Sequence, residues 1–434
     1  MKKVLIITYY WPPSGGGGVQ RWLKFVKYLR DFGWEPVIYT PENPESPQID
    51  QSLVDEIPAE IEVIKTRVWE PYRWYKAFTG RKSDERIQTA FLSEKKKPGM
   101  AEKLSIWIRG NVFIPDARRF WIKPSVRFLK KWLQSNPVDL IVTTGPPHSM
   151  HLIAMQLKEK TGIMWLADFR DPWTNIDYYQ DLMLGKRADR KHHQLELKVL
   201  KNADAVTVVS PGMSKEFTEI YNRNYAVIPN GFDTSDFKKT EKLNPESGFS
   251  LAHIGALVKT RNPLILWKVL NELCKESDAF SADLKIKLIG NVDVFVRESL
   301  QANELMDKLE ILPYLPHEEV VIEQMRAQVL LLLINRTPNA HLILTGKLFE
   351  YMGAGRPILG IGPVAGDAAA ILKETGAGVM VDFEEEEKLK HYIRSFYQKF
   401  QNGSLINSPE DIYQYSRYEL TRKMANEFDR ITSR

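Results

Sequence analysis

The chain has 434 residues, 43% of them hydrophobic and 26% charged, which is an ordinary composition for a folded protein and long enough to predict two domains. Its single cysteine, Cys274, excludes an internal disulfide and a Cys-rich metal site and suits a reducing, cytoplasmic address. No apolar run approaches the roughly 20 residues needed to span a bilayer, so any membrane contact predicted from the sequence is peripheral.

The net charge of +5 is unevenly spread. Residues 65–134 hold 18 Lys and Arg against 6 Asp and Glu, and the remainder of the chain nets −7. The same stretch carries five of the eleven tryptophans, Trp69, Trp74, Trp107, Trp121 and Trp132. Basic residues interleaved with large aromatics suit an anionic membrane surface or a phosphate-bearing partner, and the competing reading is a solvated basic insertion whose aromatics pack inward. Nucleic acid is not the expected partner.

In chain order, Val4 to Thr8 reads as a buried first strand rather than a signal peptide, because its apolar run stops at Pro12-Pro13 with no small-residue cleavage site. A glycine loop, Gly15 to Gly18, then leads into the helical pattern Val19, Trp22, Leu23, Val26, Leu29. Glycines let the backbone approach a ligand, so Gly16 and Gly17 are donor-binding candidates, and Arg21 in the first turn is positioned to meet a phosphate or an acceptor. The loop is not the dinucleotide fingerprint G-x-G-x-x-G.

A second strand spans 33–40, and order resumes with a strand at 138–144 that runs into Gly145-Pro146-Pro147-His148-Ser149. Ligands of open α/β sheets bind at the carboxyl ends of strands, which makes His148 and Ser149 acceptor-side candidates. The next strand ends in Asp168-Phe169-Arg170-Asp171-Pro172-Trp173. Charges crowded at a sheet mouth are costly unless they pair or hold a ligand; Asp168, Arg170 and Asp171 are therefore catalytic candidates, with an internal salt bridge that pins a loop as the alternative. His192-His193 and Glu196 lie in a helical stretch without a further ligand and predict no metal site.

A first domain over 1–233 and a polar linker over 234–247 precede a second α/β unit over 248–408, and the helical spacing of Ile412 to Ile431 predicts a C-terminal helix, 409–434, that returns to the first domain. The loop after the second unit's first strand holds Gly255, Lys259 and Arg261, and its second strand ends at Gly290. Between the apolar runs 329–334 and 358–361 lies T-G-K-L-F-E-Y-M-G-A-G-R-P, Thr345 to Pro357. Thr345 can cap this helix, and the free N–H groups near Gly346 and Lys347 favour phosphate. Lys347 adds a cation, and Glu350 stands one turn on, where a carboxylate can bond two vicinal hydroxyls. The alternative is an i,i+3 surface pair of Lys347 with Glu350.

Taken together, Pro12 to Gly18, Ile228-Pro229-Asn230-Gly231-Phe232-Asp233, Gly255 to Arg261, Leu288-Ile289-Gly290, Tyr314-Leu315-Pro316-His317-Glu318 and Lys347 to Pro357 resemble a GT-B fold glycosyltransferase similar to the retaining family four. The resemblance implies two doubly wound Rossmann-like α/β domains facing a cleft, a nucleotide diphosphate sugar held by the second, and a glycan or lipid-linked acceptor held by the first. It also implies retention by front-face attack, with Glu350 on the ribose. Three departures stand out. The first of the family's two glutamates is Leu342, the arginine after the glycine is Ala256 while Arg261 keeps the second cation, and the histidine that the family places at the carboxyl end of the strand before Phe169 is here Asp168. Lys259 or Lys347 then replaces the missing arginine, and Arg261 is the catalytic cation at the leaving group. No Asp-x-Asp occurs, so no metal and no cofactor are expected. The rivals are a nucleotide-sugar epimerase of the same fold and a catalytically silent sugar-nucleotide-binding scaffold at the membrane.

Overall fold

The computed structural model describes residues 1–46, 48–70, 100–238, 243–405 and 409–433. The chain divides into two compact units, Met1–Pro229 with Tyr418–Arg434, and Asn230–Arg417.

The first unit contains β1 (Lys2–Ile7), α1 (Gly17–Tyr28), β2 (Trp34–Pro41), β3 (Glu62–Thr66), α2 (Met100–Asn111), α3 (Arg119–Ser135), β4 (Leu140–Gly145), α4 (Ser149–Thr161), β5 (Met164–Phe169), α5 (Lys186–Asn202), β6 (Ala205–Val208), α6 (Pro211–Ile220) and β7 (Ala226–Val227). Its sheet is parallel throughout in the order β3-β2-β1-β4-β5-β6-β7. Strands covered on both faces must be apolar almost continuously, and Val4, Leu5, Ile6 and Ile7 are all fully buried. On one face α1 inserts Val19, Trp22, Leu23 and Val26. The same layer is completed from the other end of the chain, where Leu420, Met424, Phe428 and Ile431 line up at helical spacing and the Phe428 ring meets Trp34 edge-on at 5.2 Å.

On the opposite face, α3 buries Val126, Leu129 and Leu133, and Trp121 stacks on Tyr39 at 4.9 Å. The segment 65–134 is therefore not a plain insertion: its last third is the crossover helix that a parallel β3-to-β4 connection in this sheet requires. Of its tryptophans, Trp121 is buried, Trp132 packs partly against the core, Trp69 and Trp107 are exposed, and Trp74 lies outside the described residues.

The second unit opens with α7 (Thr234–Lys238) and continues through β8 (Phe249–Ile254), α8 (Leu264–Glu276), α9 (Asp278–Asp283), β9 (Leu284–Ile289), α10 (Val294–Ala302), β10 (Leu309–Leu312), α11 (His317–Arg326), β11 (Val329–Leu333), α12 (Gly346–Gly353), β12 (Ile358–Ile361), α13 (Asp367–Thr375), β13 (Gly378–Val381) and α14 (Glu386–Gln401); α15 (Arg417–Thr432) follows. The sheet is again parallel, in the order β10-β9-β8-β11-β12-β13. Described parts of the stretch read as a linker are built into this unit. Phe237 of α7 packs where a side chain on Gly353 would stand, and Glu246 pairs with the buried Lys287. A polar composition misled there, because the polar groups have partners supplied by residues distant in sequence.

Candidate functional site

In both sheets the strand order reverses beside the first strand, between β1 and β4 and between β8 and β11, and the carboxyl ends flanking that reversal are where an open α/β sheet leaves a crevice. In the second unit, β8 runs into Gly255 and β9 into Gly290, each with φ +116, a conformation that favours glycine. The two turns lie against each other: a Cβ on Gly290 would come within 3.1 Å of the Gly255 backbone. Above Gly255 sits the Lys347 side chain, whose Nζ and Cε occupy the space that a Cβ there would need. Gly255 is thus small for a reason visible only in three dimensions.

Across the reversal point, Arg261 donates from Nε to Asn335 Oδ1 at 2.8 Å and from a terminal nitrogen to the Ala256 carbonyl at 3.0 Å. Its guanidinium is aimed by a residue just past β11. Lys259 lies 4.6 Å over the Phe295 ring. Lys347, one residue into α12, has no ion-pair partner among the described residues, and the surface pair with Glu350 that was the alternative reading does not form. Glu350 Oε2 instead accepts from Gln324 Nε2 at 3.2 Å. Desolvation and the neighbouring Arg261 charge lower the Lys347 amine to about 7, against the weaker opposing pull of Glu350. His253 in β8 donates from Nδ1 to the Leu331 carbonyl, and burial together with Lys347 and Arg261 keeps it neutral.

Thr345 precedes α12 in an extended conformation, yet its side chain does not cap the helix as expected, and its Oγ1, though buried, has no hydrogen-bond partner among the described residues. A hydroxyl left over beside a helix start, next to an unpaired amine and an oriented guanidinium, presents donors and positive charge together. That donor set suits a diphosphate. A Cβ on Gly346 would meet nothing within 4 Å, so backbone approach is open at that point. Leu342 places no carboxylate near this end.

The first unit distributes its charges differently. Asp168 and Arg21 are fully buried and face each other, with Arg21 Nε and a terminal nitrogen 3.0 and 2.8 Å from the two carboxylate oxygens. Trp22 Nε1, Thr144 Oγ1 and Thr207 Oγ1 donate to the same carboxylate, and Arg21 also donates to the Pro229 carbonyl. Burial pushes the Asp168 carboxyl up, but the Arg21 charge and these bonds outweigh it and hold it below the usual range. Five hydrogen bonds occupy the acceptor capacity of Asp168. The catalytic reading of Asp168 and the acceptor reading of Arg21 are therefore corrected: the pair is internal and organises the sheet end.

Arg170 bonds the Gly18 carbonyl at 2.6 Å and the Pro146 carbonyl, tying the glycine loop to the proline turn. A Cβ on Gly18 would come within 2.7 Å of the Arg170 guanidinium, whereas one on Gly17 would meet nothing and one on Gly16 (φ +91) only Gln48 at 3.6 Å. The loop pin that Arg170 supplies runs through carbonyls rather than through Asp171, which stays exposed. Ser149 is corrected as well, since it is fully buried and its N and Oγ donate to Asp116 at 2.9 and 2.8 Å. His148 stacks on Trp173 at 4.4 Å, 3° from parallel, and burial followed by the charges of His151, His192 and Arg170 keeps it neutral. Asn335, Gln324 and Asp116 carried no motif in the sequence, and only Asn335 left a trace, as the first polar residue after the run 329–334; Gly18 lay in the glycine loop but was not singled out within it. Among the described residues, no cluster of His, Cys, Asp and Glu is grouped to hold a metal ion, and no helix is long and apolar enough to cross a membrane.

The sequence model of the glycosyl transferase 4-like domain matches residues 16–231. No curated protein matches by sequence. Among solved structures, sucrose-phosphate synthase of Thermosynechococcus elongatus is similar with a TM-score of 0.64 at 14% identity, covering 100% of both chains. HepE of Anabaena, solved in complex with UDP-glucose, gives 0.61 at 14% identity over 99% of this chain and 100% of its own. TarM of S. aureus, solved with UDP and glycan ligands, gives 0.60 at 11% identity over 99% and 100%. With both sheets in Rossmann order, this chain has the GT-B fold of these neighbours, and its residues 16–231 are similar to the glycosyl transferase 4-like domain.

Proposed function

We propose that the protein transfers a hexosyl unit, with retention, from a nucleotide diphosphate sugar bound by the second unit to a glycan or lipid-linked acceptor bound by the first, in the synthesis of a cell-surface polysaccharide or glycolipid. The observation that carries this reading is Lys347 packed over Gly255 with Arg261 bonded to the adjoining Ala256 carbonyl at the strand-order reversal, beside a helix start whose Thr345 hydroxyl has no partner among the described residues. UDP-glucose in HepE and UDP in TarM support the choice of donor class.

In this scheme the diphosphate lies over Gly255 and the start of α12, and Glu350, held by Gln324, accepts from the ribose hydroxyls. As the glycosidic bond to the β-phosphate breaks, negative charge grows on the leaving oxygen. Arg261, pre-aimed by Asn335, and Lys347 stabilise that charge without having to reorganise. The acceptor oxygen attacks from the same face and its proton passes to the departing phosphate. His148 and Asp171 are the acceptor-side groups left after Asp168, Arg21 and Ser149 are assigned to internal contacts, and Gly16 and Gly17 let a substrate approach the backbone.

The test is incubation with a panel of nucleotide sugars, with and without candidate acceptors. Acceptor-dependent release of nucleoside diphosphate is the expected result. Conversion of the sugar in the absence of acceptor would show an epimerase, and saturable binding with no turnover would show a silent scaffold.

A further inference from the structure

We propose that the groove between α3 and α4 in the first unit seats the phosphate headgroups of an anionic lipid membrane, docking the protein on that surface. The groove holds about 260 Å³ and is lined by Lys123, Val126, Arg127 and Lys130 from α3 and by Gln156 and Lys160 from α4. Four cations and no acid face one depression. Lys123, Arg127 and Lys130 recur at helical spacing, so they form one wall while Lys160 faces them from the neighbouring helix. None of the four has an ion-pair partner among the described residues.

Other cations of the unit do find carboxylates. In the same unit Lys24 pairs with Glu56, Arg30 with Glu35, and Lys158, only two residues from Lys160, with Asp204, each at 2.6 Å. Like charges gathered without a carboxylate repel one another, and an anion in the groove relieves that repulsion. A phosphate headgroup fits the volume and the sign.

The rest of the exposed face of α3 tells a soluble phosphate from a lipid one. Phe120 and Phe128 are 39% and 40% exposed on this helix, and Trp69, 57% exposed, packs edge-on against Phe120 at 4.8 Å. Winding at 100° per residue puts Lys123 and Lys130 along one edge of the exposed face, Phe128 along the other, and Phe120 with Arg127 between them. A basic edge beside an aromatic one is the arrangement that binds an interface, with cations at the phosphates and rings at the acyl boundary. A soluble anion would leave the rings in water. The proposal is independent of the transfer reading, because none of these residues belongs to the site described above.

The test is flotation of the full-length protein with vesicles of phosphatidylglycerol and phosphatidylcholine, against phosphatidylcholine alone. Binding to the anionic vesicles that weakens with salt is expected, with none to the zwitterionic ones. The combined variant Lys123→Gln, Arg127→Gln, Lys130→Gln should lower partition at least about tenfold, while Lys186→Gln, Arg187→Gln, Lys191→Gln, an equal charge change on exposed positions of α5, should lower it by less than about twofold. Phe120→Ser with Phe128→Ser should weaken binding while leaving its salt dependence in place. Thermal melts check folding, and single substitutions at Arg127 and Lys130 replace the triple variant if it melts early. Equal losses in the two charge variants, no binding of the wild type at low salt, or full displacement by glycerol phosphate in solution would each overturn the proposal.

Discussion

If Lys347 is the amine that meets the donor diphosphate, donor affinity must depend on pH in a defined way. In the free protein the amine sits near 7, depressed by desolvation and by Arg261. A bound diphosphate supplies the missing counter-charge and returns it toward the ordinary lysine range of about 10.4. Binding therefore takes up a proton wherever the free amine is neutral and the bound one charged, a window that opens near pH 7. The sign follows directly: affinity is at its full value below that point and is lost as pH rises through it. With a free value of about 7, the apparent Kd grows about 50-fold between pH 7 and pH 9, or roughly 2.3 kcal/mol, and about 0.9 proton is taken up at pH 8. His253 stays neutral throughout and adds no slope. The ligand should be an intact nucleotide sugar, chosen by thermal shift, because a free nucleoside diphosphate has a phosphate proton of its own in this range. Calorimetry in buffers of different ionisation enthalpy reads both the Kd and the proton count. Lys347→Arg should flatten the curve at high affinity, and Lys347→Met should flatten it at low affinity, converging with the wild type in alkali. A wild-type Kd that is constant from pH 6.5 to pH 9, or a slope that survives in Lys347→Met, would refute the reasoning.

Four further outcomes follow from the same contacts. Glu350→Gln should weaken donor binding by about 1 to 3 kcal/mol in calorimetry with little change in melting temperature, since a charged acceptor for two hydroxyls becomes a neutral amide; unaltered affinity would make Glu350 a partner of Gln324 only. Arg261→Ala should lower kcat more than stability, with partial recovery in Arg261→Lys, and full activity of the alanine variant at saturating donor would remove Arg261 from charge stabilisation. Asp168→Asn should cost about 3 to 5 kcal/mol in denaturant unfolding, because Arg21 is left as an uncompensated buried charge; an unchanged unfolding midpoint with activity lost would restore Asp168 to chemistry. Phe428→Ala should cost about 3 to 5 kcal/mol, its ring being fully buried against Trp34, and a loss below about 1 kcal/mol would mean that α15 contributes little to the core of the first unit.

What the sequence determined by itself is whatever depends on near neighbours along the chain. The run Val329 to Ile334 reads as a strand covered on both faces, and the spacing of Val19, Trp22, Leu23 and Val26 reads as a helix with one buried side, because side-chain direction repeats with the backbone's own period. The alternation of such segments was enough for two doubly wound sheets, and the glycines and cations after the strands marked which ends to watch. Partners belong to the tertiary structure. Lys347 reaches Gly255 and Arg261 reaches Asn335 because β8 and β11 are neighbours across the order reversal, a fact of sheet topology that no local pattern encodes. The same holds for the polar groups that were misassigned. Asp168, Arg21 and Ser149 looked like a ligand's contacts because exposed and buried polar groups read alike in one dimension; what separates them is whether a complementary group from a distant segment stands within hydrogen-bond reach, and for these three it does.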